Sequence, residues 1–201
     1  MGAATVMRPT SPPELAAHLV STLLAPVPLA AALPIAIGWH AAGWYGGMWG
    51  VVPAVFTGIL PYLHARRLRR AQAATVQAGG KPPRQVAVAL VSLLIGVAAL
   101  VIGQAPREVL AADVALLCIL LVTAPITIRW DISYHAAVAA GAVVVCCLAY
   151  TVPLPGVTAL IAGMVAVGWS RLRLGHHTTA EVVVGALVGA AVCGLSFAFL
   201  A

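Results

Sequence analysis

Charge is what this sequence has least of: Lys, Arg, Asp and Glu make up 8% of its 201 residues, about a third of the share in a soluble domain. With 62% of the chain hydrophobic, a water-facing globular surface cannot be built, and a soluble domain is excluded. Aromatic residues are scarce too, at 6%, which leaves no polar, basic face on which nucleic-acid bases could stack. Acids are fewer than bases, five against 11, for a formal charge of +6. In so apolar a chain that excess must gather in a few loops. The four cysteines, Cys118, Cys146, Cys147 and Cys193, all fall inside apolar runs. They lack the spacing of a disulfide framework or a zinc site, and read as small buried hydrophobes.

What the chain does have is apolar length. A bilayer core needs about 20 apolar residues per helix, and seven runs approach that: Leu15 to Ile37, Trp44 to Leu63, Gln85 to Gly103, Val109 to Ile128, His135 to Val152, Gly156 to Ser170, and Thr178 to Leu200. They are rich in Ala, Val, Leu and Gly without the alternating polarity of barrel strands, so the expected fold is all-α, a polytopic transmembrane bundle of six or seven spans. The first run holds Pro26, Pro28 and Pro34 and is expected to kink or break. Glu14 and those prolines interrupt any signal-peptide pattern, so cleavage is not expected. No linker divides the chain, which reads as a single membrane domain over 1–201 with a basic loop at 64–84.

Arg66, Arg67, Arg69, Arg70, Lys81 and Arg84 all belong to that loop, and the positive-inside rule puts it in the cytoplasm. Alternation through seven spans then brings Arg8, Arg129, Arg171 and Arg173 to the same side and leaves Arg107 outside. The expected location is the inner, cytoplasmic membrane, with the N-terminus and any site on the cytoplasmic face.

The same topology collects the polar residues. The 64–84 segment, the stretch Arg129-Trp130-Asp131-Ile132-Ser133-Tyr134-His135, and the stretch Ser170 to Glu181 all return to one face. In the last, His177 and Glu181 stand four residues apart at the mouth of the final helix, where a carboxylate can hold an imidazole in one tautomer. Arg171 carries the planar donor fork suited to phosphate oxygens, and the turn from Ser133 to His135 offers main-chain donors at a helix start. Asp113, inside the fourth span near its outer end, is read as structural, reaching toward water or Arg107.

The pattern Ser170-Arg171-x5-His177-x3-Glu181, preceded by Ile132-Ser133-Tyr134-His135-Ala136, resembles the third and second motifs of the type 2 phosphatidic acid phosphatase superfamily, Ser-Arg-x5-His-x3-Asp and Pro-Ser-Gly-His. Glu181 stands where that pattern has Asp, and Tyr134 where it has Gly. The first motif, Lys-x6-Arg-Pro, has only a compressed counterpart in Lys81-Pro82-Pro83-Arg84. The resemblance implies a metal-independent hydrolase without a cofactor, acting on a lipid phosphate or isoprenoid diphosphate. It implies His177 as nucleophile, His135 as acid and base, Glu181 as the orienting carboxylate, and Arg171, Arg173, Ser133, Tyr134, Lys81 and Arg84 around the phosphate. Two other readings use the same grip: a prenyl diphosphate cyclase or transferase, and a non-catalytic lipid-phosphate binder or transporter.

Overall fold

The computed structural model describes residues 11–74 and 83–201, with side chains described except at 68–74 and 83–85. Every regular element among them is helical: α1 (Pro12–Leu23), α2 (Pro26–Pro53), a π-helical segment (Ala54–Ile59), α3 (Leu60–Ala74), α4 (Pro83–Ile102), α5 (Arg107–Arg129), α6 (Tyr134–Ala149), α7 (Leu154–Arg173) and α8 (Thr179–Leu200). Among the described residues four helical stretches are long and apolar enough to cross a membrane: Pro26–Arg67, Arg107–Arg129, Leu154–Arg173 and Thr179–Leu200. Large apolar side chains such as Leu195, Leu187 and Phe199 face outward, as they do when hydrocarbon rather than water is the surrounding medium.

The first apolar run does break. Leu24 and Ala25 separate α1 from α2, and Pro26 opens α2 in its first turn, where a missing N–H costs nothing. Within α2 the chain reverses. Ala42 (φ −142°, ψ 26°) and Gly43 (φ 55°, ψ −139°) leave helical geometry, and glycine is the residue that enters positive φ freely. The two arms then lie antiparallel at backbone contact, Gly46 against Gly38 and Gly50 against Pro34 and Ile35. The stretch Pro26–Arg67 is therefore a helical hairpin, whose turn falls between the expected first and second spans. Its second arm passes through the π segment and continues as α3 to Ala74, so much of the 64–84 loop is helix instead. Its Ala, Arg, Leu and Gln content explains why.

The core lies where α2, α5, α6 and α8 meet, around Ile37, Ala112, Ile119, Val138, Val145 and Phe197. The α6–α8 contact positions the polar residues. A Cβ on Gly185 would sit 2.6 Å from the Ser133 carbonyl oxygen, one on Gly189 would overlap the Ala137 carbonyl, and Gly141 meets Cys193. The partners advance four residues on both helices together, so α6 and α8 run parallel, nearly backbone on backbone. Their N-termini share one end of the bundle. At the opposite end lie the α2 turn and the end of α6, joined by the His40 and Tyr150 rings with centroids 4.3 Å apart.

Candidate functional site

Four segments converge at the end that holds the N-termini of α6 and α8. The last turn of α7 brings Arg171 and Arg173, and a Schellman closure ends that helix: His176 N–H donates to Arg171 O (3.1 Å), Gly175 N–H to Leu172 O (3.0 Å), and Gly175 takes φ 65°. Glycine stands at the left-handed position this closure requires. Two residues on, Thr178 caps α8 through a reciprocal box. Its hydroxyl accepts from Glu181 N–H (3.4 Å), and the Glu181 carboxylate accepts from Thr178 N–H (2.8 Å).

His177 sits between these two devices with its side chain 8% exposed. Its Nδ1 lies 3.0 Å from the Asp131 carbonyl oxygen and 3.4 Å from Glu181 Oε2. Both neighbours only accept hydrogen bonds, so Nδ1 carries the proton and the lone pair of the neutral ring belongs to Nε2. The expected His177–Glu181 pairing is present, but the shorter contact to the ring comes from a main-chain carbonyl. The carboxylate serves chiefly to close the α8 cap.

The 130–133 turn is fixed to α8 as well as to α6. Ser133 N–H donates to Glu181 O (3.1 Å), while the Ser133 side chain caps α6 by accepting from Ala136 N–H (3.4 Å). Ser133 is wholly buried, so its hydroxyl serves the helix cap. His135 follows on the first turn of α6, half-buried and engaged in an interaction of its own. The Tyr134 ring packs against the hydrophobic cluster around Leu33 and Phe197, directed into the bundle.

Arg171 is held between α1 and the 130–133 turn. Its Nη1 donates to Ser21 Oγ on α1 (3.0 Å), and the Asp131 carboxylate lies within electrostatic reach. Its Nε is buried and has no hydrogen-bond partner among the described residues. A guanidinium donor left without an acceptor at the mouth of a bundle favours an incoming anion. His176 reinforces this: burial first, then the charges of Arg171, His177 and His18, hold its imidazole below the usual range. Four nitrogen-rich side chains thus compete at one spot, and a bound anion would relieve them all. Arg173, two residues on from Arg171, is exposed. Lys81 lies outside the described residues, as does the side chain of Arg84.

Ser21 and His18 were invisible as site residues in the sequence, because they belong to the short α1 and meet Arg171 and His176 across some 150 residues of chain. Asp131 was equally hidden, since it acts on His177 through a carbonyl that every residue possesses. Asp113 does not reach outward to Arg107. It is fully buried, its Oδ1 accepts from Thr57 on the π segment (2.6 Å), and Oδ2 has no partner among the described residues. Among the described residues no group of three His, Cys, Asp or Glu side chains could hold a metal ion.

Fold and site together define an α-helical protein whose described residues include helices long and apolar enough to cross a membrane, with a cationic, histidine-bearing rim at one end. No family model matches the chain, and comparison with curated proteins and with solved structures gives no significant match.

Proposed function

We propose that the protein is a membrane lipid phosphatase that hydrolyses a lipid phosphate or isoprenoid diphosphate through a phosphohistidine, without metal, at the cytoplasmic leaflet. In this reading seven helical segments cross the inner membrane: both arms of the α2 hairpin and α4 to α8, with the arginines of α3, α5 and α7 inside. The observation that carries it is the pairing of a nucleophile and an anion grip. His177 has its Nδ1 proton fixed by Asp131 O at 3.0 Å, and the neighbouring Arg171 has a buried Nε with no partner among the described residues.

The neutral Nε2 of His177 attacks the terminal phosphorus, the N–P bond forms as the P–O bond to the leaving group breaks (the lipid alcohol of a monophosphate, the prenyl monophosphate of a diphosphate), and His135 gives its proton to the departing oxygen. Water then attacks the phosphohistidine, with neutral His135 accepting its proton, and inorganic phosphate leaves. Arg171 and Arg173 offset the charge on the equatorial oxygens. The alkyl or prenyl part stays in the apolar phase, so its binding energy can hold phosphorus in line with the ring.

The test is phosphate release from a panel of lipid phosphates and prenyl diphosphates by purified protein in EDTA. Wild type should release phosphate and an uncyclised alcohol, His177→Ala should lose at least about a thousandfold in kcat/KM, and acid-labile label should be trapped on His177. A cyclised or transferred prenyl product would replace this reading with carbon chemistry on the same grip. Undiminished turnover in His177→Ala would remove it.

A further inference from the structure

An apolar groove of about 360 Å³ lies between α2, α6 and α7, just beneath the cationic rim. It exists because three helices present small side chains to it, among them Ala32, Ala36, Ala142 and Gly163. The register of its walls ties it to the rim. On α6, His135 precedes the lining residue Ala139 by four, and on α7, Arg171 follows the lining residue Val167 by four. Ser21, which holds the guanidinium, precedes the lining residue Leu24 by three. Residues three or four apart share a helix face, so His135 and Arg171 stand one turn above the groove and on its side, and the Ser21 hydroxyl meets Arg171 there.

We propose that this groove is the seat of a single hydrocarbon chain whose phosphate or diphosphate head is held at Arg171. The inference rests on the phosphatase reading for the chemistry of the head, and adds the class of lipid: a single-chain alkyl or prenyl phosphate rather than a diacyl one. Charge complementarity fixes the direction, with the anion at the Nε that lacks a partner and the tail pointing down the groove. From Val167 to Ala159 and from Ala139 to Cys146 the walls descend seven to eight residues, about 11 Å of helix. That is less than the roughly 15 Å of one leaflet's hydrocarbon, so a longer chain leaves the groove past the exposed Ala32, Ala36 and Ala159 into lipid. About 360 Å³ spread over this descent is the space of one hydrocarbon chain rather than two side by side. A diacyl phosphate must leave its second chain outside or splay its glycerol away from the rim.

Gly163 provides the test, because a Cβ there meets nothing within 4 Å and a helical position gains rather than loses by replacing glycine. Gly163→Phe fills the groove from α7, and Ala142→Phe fills it from α6 should the first variant not fold. In nanodiscs, either should weaken dodecyl phosphate at least about tenfold, since evicting even a few methylenes has that effect. Turnover of para-nitrophenyl phosphate, which has no chain, should stay within about twofold. Wild type should also bind dodecyl phosphate at least about tenfold more tightly than dioleoyl phosphatidic acid. Unchanged dodecyl phosphate affinity in both folded variants overturns the groove, as does equal affinity for the diacyl lipid. If wild type releases no phosphate from any substrate, the phosphatase reading fails, and the calorimetric affinities still decide the groove on the same thresholds.

Discussion

At the scale of single residues, the rim is set by who accepts and who donates. Asp131 O and Glu181 Oε2 both accept at His177 Nδ1, so the proton at that nitrogen is fixed chiefly by a main-chain carbonyl. His176 is the pH-sensitive member. Its proton is disfavoured by burial and by Arg171, His177 and His18, so the folded protein binds that proton less readily than the unfolded chain. The sign follows from linkage: stability is retained above about pH 6.5 and declines as pH falls from there toward the lowered pKa. A bound dianion reverses this by restoring the proton. Sulfate, whose charge is constant over this range, should bind more tightly as pH falls below about 6.5, with proton uptake seen by calorimetry in two buffers. His176→Gln should flatten the dependence. A profile unchanged by that substitution would take His176 out of the anion site.

At the scale of elements, small residues decide how closely helices approach. Gly185 and Gly189 let α8 lie on the Ser133 and Ala137 carbonyls, and this contact carries the α8 cap to the 130–133 turn. Gly189→Leu has no room, because the obstacle is α6 backbone, which cannot rotate away as a side chain can. It should cost at least about 3 kcal/mol and abolish any activity of the rim, whereas Gly163→Leu on the groove wall, where a Cβ meets nothing within 4 Å, should leave the unfolding midpoint within a few degrees. Equal midpoints for the two variants would mean that α6 and α8 are not in backbone contact. Much of this was legible beforehand. The runs of α4 to α8 stand within a few residues of their helices, the break near Pro26 was expected, and the His177–Glu181 spacing gave the α8 mouth. The α2 reversal was expected only as a gap between two spans, since Ala42-Gly43 is a turn signal set within hydrophobic residues. The helical character of α3 was obscured by its arginines, which read as loop charge although arginine is a good helix former.

At the scale of the whole molecule, the parallel α6–α8 pair is what makes a shared rim possible. With α7 returning between them, His135, Arg171 and His177 must come to one end, and this depended on helix order, which the apolar runs already displayed. The recruitment of α1 was not legible, because a twelve-residue amphipathic segment carries no sign of which helix it will lie on. Its placement against α7 follows from the groove and rim together, Ser21 on the guanidinium and Leu24 on the groove. The orientation of the assembly is the remaining physical claim, and it rests on arginine. Arg66 and Arg67 on α3, Arg129 on α5, and Arg171 and Arg173 on α7 all lie at the rim end, while Arg107 begins α5 at the other, a bias strong enough to set orientation. Single cysteines introduced at Arg66 and Leu174, in a background without the four native ones, should react with a membrane-impermeant maleimide only in inside-out vesicles. A cysteine at Gln104, in the turn between α4 and α5, should react only in right-side-out ones. Labelling of positions 66 and 174 from opposite sides would separate the basic helix from the histidine rim and leave the anion grip without its field of cations. Labelling of both from outside would keep the site intact but move its substrate to the outer leaflet.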